Sequence, residues 1–368
     1  MKKYLLYILS MVCCVCLFAC KSKENENKEF DYDTVPDTME SSTYDIAFVS
    51  DIGELKDKAF NQGTWEGVKR YAYENKKSYK YYQPENGNNA SDEDRYNAMK
   101  SAIEKGAKVI VSSGMAQEKA ITQAATEHPD VKFIFIDGKT VNLENVSAIV
   151  FQEEQAAFLA GYASVMDGYT KFGFFGDDSE NASQKRSAYG FIQGVNEAAK
   201  EKNMVIDIKL SWKAESPEGQ ADESKKMIEE WYQSGTEVIF TCGNVSSDVM
   251  AVAKEKNKKV ISVDIDHSHN NQNVLTSAVK GLREGAMYAL SNLFNDKWSD
   301  FSNKSVSLGI KDDAVGLPYS NASWRFNKFS VKDYNKLISN LKGESIKIDS
   351  NFEGFETKKY SNVKLEII

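Results

Sequence analysis

Beyond Cys20 the chain holds a single cysteine, Cys242, whereas Cys13, Cys14, Cys16 and Cys20 crowd its first residues. A disulfide framework needs paired cysteines spread through the fold, so bridges do not staple the body of this protein. Histidine is as scarce, with three in 368 residues, which leaves little material for an imidazole metal site. Basic excess is also missing: 46 Lys and Arg stand against 54 Asp and Glu, a net charge of −8, with both signs mixed along the chain. With no basic stripe to neutralise phosphates, nucleic acid is excluded as a partner. No P-loop, dinucleotide fingerprint or Ser nucleophile elbow occurs, and no short internal repeat.

The one long apolar run, Tyr4 to Ala19, follows Lys2 and Lys3 and is short for a membrane-spanning helix, which needs roughly 20 apolar residues. It reads as the hydrophobic region of a secretory signal over residues 1–19. Leu17-Phe18-Ala19-Cys20 resembles the lipobox of bacterial lipoproteins. That resemblance implies cleavage before Cys20 and a lipid on its thiol, although Phe18 replaces the usual smaller residue. Residues 20–43 are charged, polar and nearly free of aliphatic side chains, so they read as a flexible tether.

What remains is long enough for two α/β lobes. Apolar runs recur at Ile46–Val49, Val109–Val111, Phe133–Ile136, Phe172–Phe175, Val238–Phe240 and Val260–Val263, the pattern of strands buried on both faces. Helical patterns separate them, among them Phe60–Glu74, a capped one after Ser91, Glu154–Met166 and Ser216–Ser234. This alternation predicts two doubly wound parallel sheets joined by a hinge, with ligand in the cleft at their carboxyl edges. The expected layout is a first lobe over 44–152 with a return segment at about 281–315, a second over 153–280, and a tail over 316–368 packed on the lobes.

Polar residues follow the strands: Ser50-Asp51, Ser112-Ser113-Gly114, Asp137-Gly138, Gly243-Asn244 and Asp264. At that edge they are candidates for ligand contact, though Asp and Gly there are also ordinary turn residues. Likewise Phe60, at a helix start, taken alone reads first as a staple to the sheet.

At DIGELKDKAFNQGTWEG, FIFIDG, FQEEQAAFLAG, YGFIQGV, GTEVIF, VISVDID and VLTSAVK, the chain resembles the basic membrane protein/PnrA-like family of substrate-binding lipoproteins of nucleoside ABC transporters. The pieces occur in family order from Tyr44 to about Lys280. The resemblance implies a type I periplasmic-binding-protein-like fold, a purine nucleoside such as guanosine, inosine or adenosine as ligand, an ABC permease as partner, and attachment to the extracytoplasmic face of the membrane. It implies that Phe60 stacks on the base and that Asn61 hydrogen-bonds it. Asp51 and Asp137 would line the base pocket, with Trp212 as the second aromatic. Gly243, Asp264 and Lys280 would hold the ribose hydroxyls. The chain departs from the family after Gly176, where Asp177-Asp178-Ser179-Glu180 replaces a small, glycine-rich stretch. It also departs at Ser187, in place of an aromatic, and after Gly243, where Asn244 to Asp248 replace a glycine-rich turn.

Other readings are a sugar- or autoinducer-binding lipoprotein of the same fold, a surface antigen or adhesin, and a nucleoside hydrolase using Asp264-Ile265-Asp266-His267-Ser268-His269 as a metal cluster. His128 stands apart in a surface turn, and no dense run of further carboxylates accompanies the motif. No metal, cofactor or catalysis is expected.

Overall fold

The computed structural model describes residue 32 and residues 34–39, 41–52, 55–56, 60–212, 221–269 and 271–368. The predicted signal, Cys20 and most of the tether lie outside these residues.

Along the first half, strands β1 (Ile46–Val49), β2 (Tyr79–Tyr82), β3 (Val109–Ser113), β4 (Lys132–Ile136) and β5 (Val146–Phe151) pair in parallel in the order β2-β1-β3-β4-β5. Between them run α1 (Phe60–Glu74), α2 (Asp92–Glu104) and α3 (Glu118–Glu127). On α1, Trp65, Val68 and Ala72 are buried as their spacing predicts. Helix α2 begins in the expected capping box: Ser91 Oγ accepts the Asp94 N–H at 3.1 Å and Asp94 Oδ2 accepts the Ser91 N–H at 2.7 Å. One face of the sheet is filled by Val49, Met99, Ile110, Ile121, Phe133 and Phe135, each worth roughly 1.5–3 kcal/mol of apolar burial.

After β5 the chain crosses through Gln152 into α4 (Glu153–Asp167), which opens a second sheet. Strands β6 (Lys171–Phe175), β7 (Ile206–Ser211), β8 (Val238–Thr241), β9 (Lys259–Asp264) and β10 (Val274–Lys280) pair in parallel in the order β7-β6-β8-β9-β10. Helices α5 (Ala182–Glu201), α6 (Ala221–Gln233) and α7 (Ser246–Glu255) lie between them. The winding is that of the first sheet repeated, a duplication of topology with no residue-level repeat to announce it. Helices α4 and α5 approach backbone to backbone: a Cβ at Gly190 would lie 2.1 Å from the Glu154 carbonyl oxygen, and one at Gly194 2.1 Å from that of Phe158.

The chain returns after Lys280. Helix α8 (Leu282–Phe294) packs on α1, with the Phe294 ring stacked on Tyr71 at 5.8 Å and Arg283 paired with Glu66. After the short α9 (Trp298–Phe301), β11 (Ser305–Leu308) adds to β5 in parallel. A last crossing brings β12 (Val315–Gly316) antiparallel to β10, then α10 (Val331–Lys342), then β13 (Val363–Ile367) parallel to β7. The final residues therefore complete the second sheet at both edges.

The packed body starts before Tyr44. Tyr79 Oη donates to the Pro36 carbonyl at 2.6 Å, and the nearly buried Lys69 ammonium meets Asp37 at 2.9 Å. A cation in that position needs a carboxylate, and the last residues of the segment read as tether supply it.

Candidate functional site

A charged residue stands at the carboxyl end of each of β4, β9 and β10, on the last strand residue or the one after it. Asp137, just past β4, and Asp264, the last residue of β9, stand in left-handed backbone, at φ +53° and +71°, a conformation Asp tolerates better than most residues. Lys280 closes β10, with its side chain 8% exposed. Its Nζ lies 2.9 Å from Asp137 Oδ2, 3.1 Å from Asp264 Oδ1 and 3.6 Å from Glu153 Oε1. Three carboxylates, from the first sheet, the second sheet and the first turn of the crossover helix, thus share one ammonium. Burial alone would lower the Lys280 pKa, but the three acids outweigh it and hold the ammonium well above its usual range. Burial raises the Asp137 carboxyl, and Lys280 offsets this only in part because Asp264 and Glu153 oppose it. Both directions follow from one cation divided among three acids.

Glu153 was not among the residues selected from the sequence. It also accepts from Ser183 Oγ at 3.0 Å and Arg186 Nε at 2.9 Å. Its one signal, an acidic residue at a helix start, is common.

Phe60, the first residue of α1, is half-buried, and Lys280 Nζ lies 5.8 Å from its ring centroid, within cation–π range. Asn61 is fully buried. Its Nδ2 donates to Asp51 Oδ1 at 2.8 Å while its Oδ1 accepts the Asp51 N–H at 3.3 Å. Arg95 Nε donates to the Asp51 carbonyl at 2.8 Å. In this arrangement Asn61 and Arg95 fix Asp51, which stays half-exposed. Beside them, the buried Gln117 donates Nε2 to the Val49 carbonyl at 3.1 Å, and its Oε1 meets no donor among the described residues.

Trp212 and Gly243 gather about the end of β6. The Trp212 ring meets Phe174 edge-on at 5.5 Å, lies against Gly176, and donates Nε1–H to Glu356 at 2.5 Å. Gly243, at φ +82°, faces Asp177: a Cβ there would fall 2.1 Å from Asp177 Oδ1. Asp177 accepts the Asn244 N–H and Gln184 Nε2, each at 2.6 Å. The acidic departure after Gly176 therefore folds inward onto the Gly243 turn. Cys242 lies between the two halves of the second-lobe site, its thiol pushed up by burial and then by Asp264 and Asp177.

The two carboxylates of the Asp264–His269 motif serve different partners. Asp264 pairs with Lys280, whereas Asp266 accepts the Ser268 N–H at 2.9 Å and Ser323 Oγ at 2.5 Å, with His269 Nε2 at 3.3 Å. A cavity of about 530 Å³ opens beside this corner, lined by Gly63 and Arg283 and by Asp264, Lys280, Gly316 and Tyr319. Phe60, Asp137 and Trp212 do not line it, so the aromatic and carboxylate set defines the candidate site better than the open volume does.

The family described as ABC transporter substrate-binding protein, PnrA-like, matches residues 45–350. The chain belongs to that family. Among its relatives, the ABC transporter nucleoside-binding protein BmpA of Lactococcus lactis is 30% identical over 61% of this chain and 64% of its own. Basic membrane protein B of Borreliella afzelii is 32% identical over 62% and 66%, and the CD4+ T-cell-stimulating antigen of Listeria innocua 28% over 82% and 86%. A solved ABC transporter solute-binding protein from Conexibacter woesei superimposes with a TM-score of 0.64 at 16% identity, covering 83% of this chain and 98% of that one. At that identity the likeness speaks for the fold, which is type I periplasmic-binding-protein-like. As a PnrA-like substrate-binding protein, the chain binds a small-molecule ligand and has an ABC permease as its partner. Among the described residues no helix is long and apolar enough to cross a membrane.

Proposed function

We propose that this PnrA-like protein is a lipid-anchored, extracytoplasmic receptor that closes its two lobes around a purine nucleoside and presents it to the permease. The observation that carries the reading is the Phe60 ring standing beside the Lys280 group, where carboxylates from both sheets converge. A flat base stacks on Phe60, a contact worth about 1–3 kcal/mol. Asp51 and Asp137 accept ring or exocyclic N–H groups, with Asn61 holding Asp51 in place. Trp212 closes over the base from the second lobe. Lys280 has as many carboxylates around it as it has protons, so the ribose diol donates chiefly to Asp264, beside the exposed Gly243 turn. Contacts to both lobes exist only when the lobes are together, so binding favours closure. Residues 1–19 direct export and a lipid on Cys20 holds the body at the membrane. The name of the Lactococcus lactis relative supports the ligand class.

Mass spectrometry of small molecules released by denaturing the purified protein, followed by calorimetry with guanosine, inosine, adenosine and ribose, tests this. A purine nucleoside in the released fraction, with nucleosides binding and ribose inert, is the expected result. Tight ribose binding would move the ligand class to sugars, and free base appearing from inosine would make the chain a hydrolase. Intact mass of the membrane fraction, with Cys20→Ala as control, reads the lipid.

A further inference from the structure

The family match ends at residue 350, yet the segment beyond it is firmly seated on the second lobe. Phe355 is 1% exposed and packs on Tyr189 at 5.6 Å. Tyr189 Oη donates to Asp349 at 2.7 Å and accepts from Lys358 Nζ at 2.8 Å. Tyr360 Oη donates to the Phe355 carbonyl at 2.9 Å, and β13 runs along β7 until the Ile368 N–H reaches the Leu210 carbonyl at 2.8 Å. This holds the short turn Phe355–Thr357 beside Trp212, two residues beyond Leu210.

There Glu356 accepts the indole N–H at 2.5 Å. Indole has one donor and no acceptor, so this bond is its whole polar requirement. Phe174 meets the same ring edge-on and Gly176 lies against it. The ring is thus held by apolar packing from the sheet and by a charge-assisted hydrogen bond from the tail, which leaves one orientation. A second link runs the same way: Arg186 stands 5.7 Å from the Phe352 ring centroid and binds Glu153, which is 3.6 Å from Lys280.

We infer that Glu356 is a positioning residue for ligand recognition: the carboxyl-terminal segment pre-sets the Trp212 ring against which the base closes. This rests on the reading of Trp212 as the second aromatic of a nucleoside site. Without Glu356 the ring samples other rotamers, and the ligand must select the productive one.

The test is a double-mutant cycle on the full-length protein, read by calorimetry with inosine and by ¹⁹F spectra of 5-fluorotryptophan-labelled protein, in which Trp212→Phe identifies the Trp212 signal. Glu356→Ala is expected to weaken inosine binding roughly 3- to 10-fold and to shift or broaden that signal. Glu356→Gln, whose amide oxygen still accepts the N–H, stays within about 2-fold of wild type. In the Trp212→Phe background, Glu356→Ala has no further effect. Wild-type affinity in Glu356→Ala, or the same loss with and without the indole, overturns the inference and leaves the nucleoside site standing. A wild-type chain that binds no purine nucleoside overturns both.

Discussion

Lys280 Nζ and Asp137 Oδ2 lie 2.9 Å apart, joining the end of β10 in the second sheet to the end of β4 in the first. The bond crosses between the lobes and is nearly closed to solvent, with the two side chains 8% and 18% exposed. Removing one member of such a group is costlier than the group is stabilising, because the others stay buried without compensation.

Lys280→Met should therefore destabilise the protein by about 3–5 kcal/mol near neutral pH in chemical denaturation. The loss should shrink as pH falls, because Asp137, whose carboxyl burial already pushes up, takes up a proton and no longer needs the missing cation. A loss below about 1 kcal/mol would mean the group is screened like a surface pair.

Phe60→Ala should weaken nucleoside binding by about 1–3 kcal/mol in calorimetry with little change in unfolding midpoint, since the ring is half-buried at a helix start. Unchanged affinity would remove Phe60 from the site.

Glu154, 3% exposed at the start of α4, has its carboxyl pushed up from 4.5 to about 7, first by burial and then by Glu153, with Arg186 opposing. Between those two values the folded chain holds a proton that the unfolded chain has lost. Stability therefore falls as pH rises through the window, and the full cost is present above it. Glu154→Gln should match wild type at about pH 4 and exceed it by about 1–3 kcal/mol at about pH 8. A variant whose stability parallels wild type across that range would refute the raised carboxyl.

Gly243→Ala meets both a left-handed backbone and the Asp177 carboxylate. A cost of about 2–4 kcal/mol is expected. In an Asp177→Ala background the same change should cost only about 1–2 kcal/mol, the backbone part. Equal costs in both backgrounds would show that Asp177 does not press on the turn.

Much of the fold was legible before any coordinates. Runs such as Ile46–Val49 and Phe133–Ile136 became buried parallel strands, and the Ser91 box opened its helix. Strands β2, β5, β7 and β10 were not singled out, because Lys80, Ser147, Lys209, Thr276 and Ser277 interrupt their apolar pattern. They border other strands, so pairing supplied what hydrophobicity did not. The readings of residues 1–19 as an export signal and of residues 20–43 by their composition rest on local features that need no fold.

What the chain alone determined is therefore what lies within a few residues: which runs pair as strands, where helices start, and which polar residues sit at strand ends. Only the tertiary structure decided which of those ends meet. Lys280 finds Asp137, Asp264 and Glu153 because the chain crosses between the sheets and winds each in the same order. Asp177 presses on Gly243 because β6 and β8 are neighbours, and Glu356 reaches Trp212 because the last strand docks on β7. Local preference acts through one or two turns of backbone, whereas these contacts join residues brought together only when whole sheets have formed and buried their faces.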